Sequence, residues 1–496
     1  MKKILLFLVP ILGIVIFSSC KKDFLDRFPK GRYYEGNFTP DTTLKANILV
    51  EAKLSQAYTS LRDYNFIFAG FGMQNYTTPD VEKGSTPSDG QEVVQFKPMS
   101  YTASNSQISA YYTTCYSSIF FTNEALVLAT AIMDNEAQKN TYIAEALFLR
   151  SVMYFRLTQA FGGVPYVDKV LAQTDKTPAR STREDIWQNL ERDLISAIPL
   201  LPTRQALIIS GNSGRATQNA ARALLAKIYL YEKNWGAALG QTTAIINSGD
   251  NALDTPYDQI FTEANEYGNE SVFEVYCEEK PAEQIYLGSQ FAEIQGFRGL
   301  PDLGWGFNAP SQVLMDSYET GDPRKAASVI HSGDVLDGRT LRADAAGYQY
   351  FNKKAYTKTI ERGIYGRPTN GHGGWVNIRL IRYADVLLMD AEAACESGNA
   401  TEALDKLEMV RARARGADNT VLPKIVTTDI NELRAKVHQE RRIELAMEWE
   451  RFYDLVRWDE AKSVISSFVV GKHELFPIPQ TQIDKSEGVI TQNPGY

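Results

Sequence analysis

Apolar side chains recur along this chain at helical spacing, and the runs break off at sharply marked points. Over residues 143–161, Ile143, Leu147, Tyr154, Leu157 and Phe161 fall on one helix face. Gly162 and Gly163 end that run, and Pro165 blocks its continuation. Ser181 with Glu184 forms a capping box that predicts a helix through Ile186, Leu190, Leu194 and Ile198, closed by Pro199 and Pro202. Thr217 predicts an N-cap for Ala220 to Tyr231, and Trp235 opens a partner helix that ends near Gly249. A second pair runs from about Tyr383 to Glu396 and from Thr401 to Arg413, parted by Ser397-Gly398-Asn399.

The two pairs share a spacing. Ala226 in one helix and Ala238 in its partner are twelve residues apart, as are Ala391 and Ala403. Small residues at those points let two helices cross closely, and the spacing matches the tetratricopeptide pattern. The helices around 107–161 fit it loosely, which predicts three or four degenerate repeats with interruptions. A plain helical bundle shares the same periodicity. The stretch from about 250 to 375 is different in kind, rich in Gly, Asp, Asn and Tyr, with short β-like pieces such as Ser271 to Tyr276. Gly321-Asp322-Pro323, Asp337-Gly338 and Asn370-Gly371-His372-Gly373-Gly374 mark turns. The fold class expected is therefore mainly α: tetratricopeptide-like helix pairs forming a scaffold, with a loop-rich region containing short β-strands. Loops on a rigid scaffold are where binding function tends to sit.

The N-terminus predicts export. Lys2 and Lys3 precede an apolar run from Ile4 to Phe17, followed by Ser18-Ser19-Cys20. That is a basic segment, a short apolar segment and small residues at a cleavage point. The run contains Pro10 and Gly13 and is short for ~30 Å of hydrocarbon, and no other segment is read as reaching membrane-spanning length. Cys20 directly after small residues resembles a bacterial lipobox, although Phe17 stands where Leu is more usual; the resemblance implies cleavage before Cys20 and lipid on its thiol and amine. Cys115, Cys277 and Cys395 remain, an odd set without CxxC spacing, so a disulfide framework is excluded. Cys115 and Cys395 lie in apolar helical patterns and read as small buried hydrophobes. The 52 basic and 60 acidic residues give a net charge of −8, which disfavours a nucleic-acid binder.

Further motifs follow one another in order: Ala144-Glu145-Ala146-Leu147-Phe148-Leu149-Arg150, Phe161-Gly162-Gly163-Val164-Pro165, Arg379 to Met389, Glu440 to Ala446, Arg451 to Trp458, Pro477-Ile478-Pro479 and Gln492-Asn493-Pro494-Gly495-Tyr496. With these in this order behind a lipobox, the chain resembles the SusD/RagB family, surface glycan-binding lipoproteins of Bacteroidetes, over most of its mature length. The resemblance implies a helical scaffold with a loop-rich face, held by a lipid anchor at the outer face of the outer membrane. It implies capture of oligosaccharide or another nutrient, delivery to a SusC-like TonB-dependent transporter, and no catalysis. The organisation expected is a signal peptide over 1–19, a lipid-anchored segment over 20–45, a helical region over 46–250, a loop-rich ligand face over 251–375 and a C-terminal helical region with a tail over 376–496.

Within these motifs, Arg441, Arg442, Glu444, Arg451, Asp454 and Arg457 are expected to tie helices together, as are Arg382 and Tyr383 at the start of theirs. Ligand contacts are sought by chemistry instead. Sugar C–H faces pack on aromatic rings, and sugar hydroxyls need amide, carboxylate or guanidinium partners. Trp305, between Gly304 and Gly306, is the first candidate, followed by Trp375 after Gly373-Gly374 and by Tyr76. Phe297, Arg298 and Tyr286 are expected at the rim. The adjacent pair Glu278 and Glu279 points to opposite sides of a β-like run, unlike two catalytic carboxyls that face each other ~5–10 Å apart. HExxH, P-loop and EF-hand patterns are absent, the four His residues are scattered, and no metal or cofactor is expected. The rival readings are a lid or assembly subunit of the transporter complex, capture of a non-glycan nutrient, and an uncatalogued glycoside hydrolase.

Overall fold

Short polar side chains at helix N-termini set the frame of this fold. In a computed structural model of the chain, the described residues are 43–172, 174–280, 283, 285–343, 347–365 and 374–496. The predicted signal, Cys20, the anchored segment before residue 43 and the turn residues Asn370 to Gly373 lie outside them. Thr42–Tyr496 form one compact unit. Its helical first half comprises α1 (Thr43–Arg62), α2 (Tyr64–Phe71), α3 (Ser106–Ile132), α4 (Glu136–Phe161), α5 (Arg183–Ala197), α6 (Arg204–Ser210), α7 (Gln218–Tyr231) and α8 (Trp235–Ser248). Asp63, Asn105, Asn135, Thr203, Thr217 and Asn234 each accept a backbone N–H of the helix they open. At α5 the cap is Thr182, one residue beyond the predicted Ser181. The Ser181 N–H is drawn away to the Val164 carbonyl, 3.0 Å, beside the Pro165–Arg180 bridge.

Four short helices punctuate the loop-rich stretch: α9 (Phe291–Gln295), α10 (Gln312–Ser317), α11 (Pro323–Ser328) and α12 (Thr359–Tyr365). The C-terminal part adds α13 (Tyr383–Glu396), α14 (Ala400–Arg415), α15 (Ile430–Glu444) and α16 (Arg451–Arg457). The helices pack in sequence, α1 on α3, α3 on α4, α4 on α5, α5 on α7 and α7 on α8. α8 then lies against α13, which packs on α14 and α15. The two helix pairs with matched alanine spacing are thus neighbours in space, joined by the Thr242 hydroxyl donating to Asp390 at 2.7 Å. Ala226, Ala238, Ala391 and Ala403 are all fully buried.

Contrary to the expectation that no later segment reaches membrane-spanning length, one helix does. α3 has the length and apolar character of a membrane span. It is instead a core helix, packed between α1 and α4, and its buried Asn123 and Glu124 are bonded to Arg150 and Lys53.

The strands are short: β1 (Val81–Gly84), β2 (Ser271–Val275), β3 (Glu279–Lys280), β4 (Ile285–Tyr286), β5 (Gly299–Leu300), β6 (Phe307–Pro310), β7 (Val329–His331), β8 (Val335–Leu336), β9 (Arg339–Thr340), β10 (Arg342–Ala343), β11 (Tyr350–Asn352) and β12 (Ile378–Arg382). They form two-stranded antiparallel ladders. Two ladders position the loops. β1 pairs with β6, Val81 opposite Pro310 and Gly84 opposite Phe307, bringing an N-terminal loop onto the loop-rich stretch. β2 pairs with β12 and ties that stretch to α13.

Buried ion pairs join the parts. Arg382 donates to Glu270 at 2.7 Å, Glu444 at 3.0 Å and Glu448 at 2.7 Å. Arg413 reaches Glu444 at 2.6 Å and also Glu270. Arg324 reaches Asp322, Glu440 and Glu444. Arg441 bonds Asp385 and Asp454, Arg457 bonds Glu392 and Asp454, and Arg442 and Arg451 both meet Asp80. The charged motif residues are therefore scaffold, with planar guanidinium forks matched to carboxylates.

Candidate functional site

Two glycines decide how the chain presents Trp305. The backbone leaves α9 at Gly296 and returns past it before entering β6. The Trp305 N–H donates to the Glu293 carbonyl at 2.8 Å, and the Gly306 N–H donates to the Gly296 carbonyl at 3.0 Å. A Cβ on Gly304 would stand 2.5 Å from the Gly296 Cα, and Gly306 holds φ +75°. A larger residue at either position would push the two strands apart or strain the turn. Beneath the turn lies a buried amide chain: Asn75 donates to Asn308 at 2.9 Å, and Asn308 and Asn352 each donate to Gln295 at 2.7 Å. Held this way, Trp305 stands half-buried at the surface.

Its neighbour is Tyr64, in the first turn of α2, which Asp63 caps. The Tyr64 ring stacks on Phe68 with centroids 5.2 Å apart and meets Trp305 edge-on at 6.3 Å. Phe68 in turn meets Phe307 of β6 edge-on at 5.0 Å. Burial, with Glu92 nearby, pushes the Tyr64 phenol up to about 12, so it stays a hydrogen-bond donor at neutral pH. The rim is charged. Arg298 donates to Asp89 at 3.1 Å, to the Ser85 hydroxyl at 3.1 Å and to the Trp305 carbonyl at 3.5 Å. Ser85 donates to the same Asp89 oxygen at 2.7 Å, and that bond leads the causes holding the Asp89 carboxyl below its ordinary value. Two inclined aromatic rings beside a carboxylate and a guanidinium can pack on apolar C–H faces and meet ring hydroxyls.

The remaining expected contacts fall elsewhere. Tyr76 is fully buried in the helical turn continuing α2, where Gly72 lies so close to Phe96 that a Cβ would come within 2.6 Å of that ring. Phe297 is a core side chain among Leu303, Ile330, Leu341 and Phe351. Trp375 is buried against Ala292 and Val376 and stacked on Tyr365 at 4.8 Å. The Ser289–Gly374 bridge pulls it inward. For Tyr76 and Phe297 the nearby glycine serves close packing, and all three aromatics are buried out of reach of a ligand. Tyr286 is 49% exposed on β4, opposite Glu279 of β3. The site thus unites Trp305 and Arg298 and adds Tyr64, Asp89 and Ser85. The available signal for Tyr64 is a tyrosine opening a mostly apolar helix directly after an Asp cap. The three described cysteines are buried and unpaired, with thiol pKa values raised by burial, Cys395 to about 11.

Comparison with known proteins agrees with this architecture. A family model described as "SusD family" matches residues 269–473, and one described as "Starch-binding associating with outer membrane" matches residues 37–230. The chain is 25% identical to a SusD-like protein P2 of Formosa agariphila, over 93% of this chain and 95% of that one. It is 26% identical to a SusD-like protein of Bacteroides ovatus, over 90% of this chain and 80% of the other. Among solved structures, a laminarin-binding SusD-like protein superposes with a TM-score of 0.74 at 26% identity, covering 90% of this chain and 99% of that one.

Proposed function

Because the chain belongs to the SusD/RagB family, we propose that it captures saccharides without altering them, at the face built by Tyr64, Trp305, Arg298 and Asp89. The observation that carries this reading is the half-exposed aromatic pair, Trp305 edge-on to Tyr64, rimmed by the Arg298–Asp89 ion pair. Its support is chemical: sugar C–H faces pack on such rings, and hydroxyls find the charged rim. The laminarin-binding relative supports the ligand class. On this reading lipid on Cys20 anchors the protein at the outer membrane, and the captured oligosaccharide passes to a SusC-like TonB-dependent transporter. Modest affinity, micromolar to millimolar and worth roughly −4 to −8 kcal/mol, suits a protein that must release its cargo.

Calorimetric titration of the whole chain in a sugar-free detergent, against laminarin oligosaccharides and a panel of plant, host and microbial glycans, tests this. Saturable binding to one class with the sugar recovered intact is expected. Trp305→Ala and Tyr64→Ala should each weaken it at least tenfold, about 1.4 kcal/mol, with the folded circular dichroism spectrum retained. Full affinity in both variants would remove the site, and silence across the panel would favour the assembly role or a non-glycan nutrient. Release of shorter sugars would restore the enzyme reading.

A further inference from the structure

A second depression of about 490 Å³ lies between α1, the loop joining α6 to α7, and the end of β2. Its volume is within the ~300–1,000 Å³ typical of small-ligand sites. Ser55, Thr59 and Arg62 line it from α1, Asn212 and Ser213 from the loop, and Tyr276 from the far wall. The loop is fixed against that wall: Gly214 has φ +87°, and a Cβ there would stand 2.9 Å from the Tyr276 Cβ. The groove shares no lining residue with the Trp305 face.

The charges in the groove are unevenly matched. Arg215 is held by two carboxylates, Glu51 and Glu145. Arg62 has none: among the described residues its guanidinium donates only to the Tyr276 carbonyl at 3.0 Å and the Thr59 hydroxyl at 2.8 Å. A guanidinium carries five N–H donors, so three are uncommitted, and the residue is only 8% exposed. A nearly buried guanidinium without a counter-charge is costly in an otherwise closed structure, and an anion completing its fork offsets that cost.

We propose that this groove takes a negatively charged sugar residue, with the ligand's oxyanion, a uronate carboxylate or a sulfate ester, seated on Arg62 and flanked by the hydroxyls of Ser55 and Ser213. The proposal rests on the saccharide-capture reading and gives it a charge preference at a second contact point.

The test is calorimetry of the whole chain, in sugar-free detergent at low and moderate salt, with three probes: a neutral laminarin oligosaccharide, tetragalacturonate and a sulfated carrageenan tetrasaccharide. At least one anionic probe should bind, more weakly as salt rises. Arg62→Gln should weaken that binding at least tenfold, and Arg62→Lys should restore part of it. Ser55→Trp, which fills the groove from an exposed helix position, should act like Arg62→Gln and serves where that variant fails to fold. All three variants should bind the neutral probe as the parent does. Whichever anionic probe responds identifies carboxylate or sulfate as the partner. Unchanged anionic binding in Arg62→Gln and Ser55→Trp overturns the proposal, as does binding of the neutral probe alone. Failure of all three probes overturns this proposal, while the saccharide reading stands or falls on the wider glycan panel.

Discussion

Glu266 shows how far a single half-buried carboxyl can depart from solution behaviour. Burial raises its pKa to about 8, against the pull of the Asn377 N–H donating at 2.8 Å, and Glu274 adds to the rise. A carboxyl whose folded pKa exceeds its unfolded value binds its proton more tightly in the folded state. Its contribution to stability is therefore fully present below about 4.5 and is lost as pH rises through about 8. Glu266→Gln keeps an oxygen to accept the Asn377 N–H and removes the ionisation. The variant should melt about 2–4 °C above the parent at pH 8 and match it at pH 4. Equal differences at both pH values would show that packing, not protonation, is responsible. Glycine context, the signal used to pick out loop aromatics, proved double-edged at this scale. Gly304 and Gly306 hold Trp305 at the surface, whereas Gly72 and Gly296 bring backbone and rings together so tightly that Tyr76 and Phe297 are enclosed. Sequence records the glycine but not which neighbour it approaches, so exposed and buried aromatics look alike. Tyr64 is hidden for the opposite reason, lying in the mostly apolar run Tyr64 to Phe71.

Helices were legible because their determinants are local. Period, cap and terminating glycine all lie within a few residues of one another, and the matched alanine pairs marked two helix pairs that the fold places side by side through α8 and α13. The cap of α5 moved by one residue because a distant carbonyl, that of Val164, claimed Ser181. The ladders were not legible, since strands of two to five residues have little pattern and their partners are far away; Val81 pairs with Pro310. That pairing brings the loop carrying Ser85 and Asp89 beneath Arg298, so half of the candidate site depends on a contact invisible in the sequence. Element packing yields its own expectation. Ala391 is fully buried where α13 packs on α14, and Ala391→Leu forces extra volume into that crossing. The variant should lose about 1–3 kcal/mol in urea unfolding while binding glycan as before. An unchanged midpoint would mean that the small residue is not what permits the close approach.

Over the whole molecule, buried carboxylates and guanidiniums bind the loop-rich stretch to the C-terminal helices. Glu444 lies at the centre, completely buried, with Arg382, Arg413 and Arg324 all upon it. Replacing such a network wholesale with apolar side chains can be neutral, but removing one member strands its partners. Glu444→Gln leaves three arginines short of a counter-charge and should destabilise the fold by about 3–5 kcal/mol. The same network sets the acid limit. Arg413 is foremost among the charges that hold the Glu444 carboxyl far below the usual carboxylate range against the opposing effect of burial, and Arg457 likewise holds Glu392 near 2. Carboxyls with depressed folded pKa values contribute stability above their unfolded value near 4.5 and lose it as pH falls towards 2. Glu266 changes the balance only above that window, so the acid limb belongs to the network. Thermal unfolding across pH 2–7 should show a steep loss below about pH 4.5 in the parent and a shallower slope in Glu444→Gln, because one depressed carboxyl is gone. Parallel acid limbs in the two proteins would mean that Glu444 carries no linked proton and that its hold on the three arginines is not electrostatic.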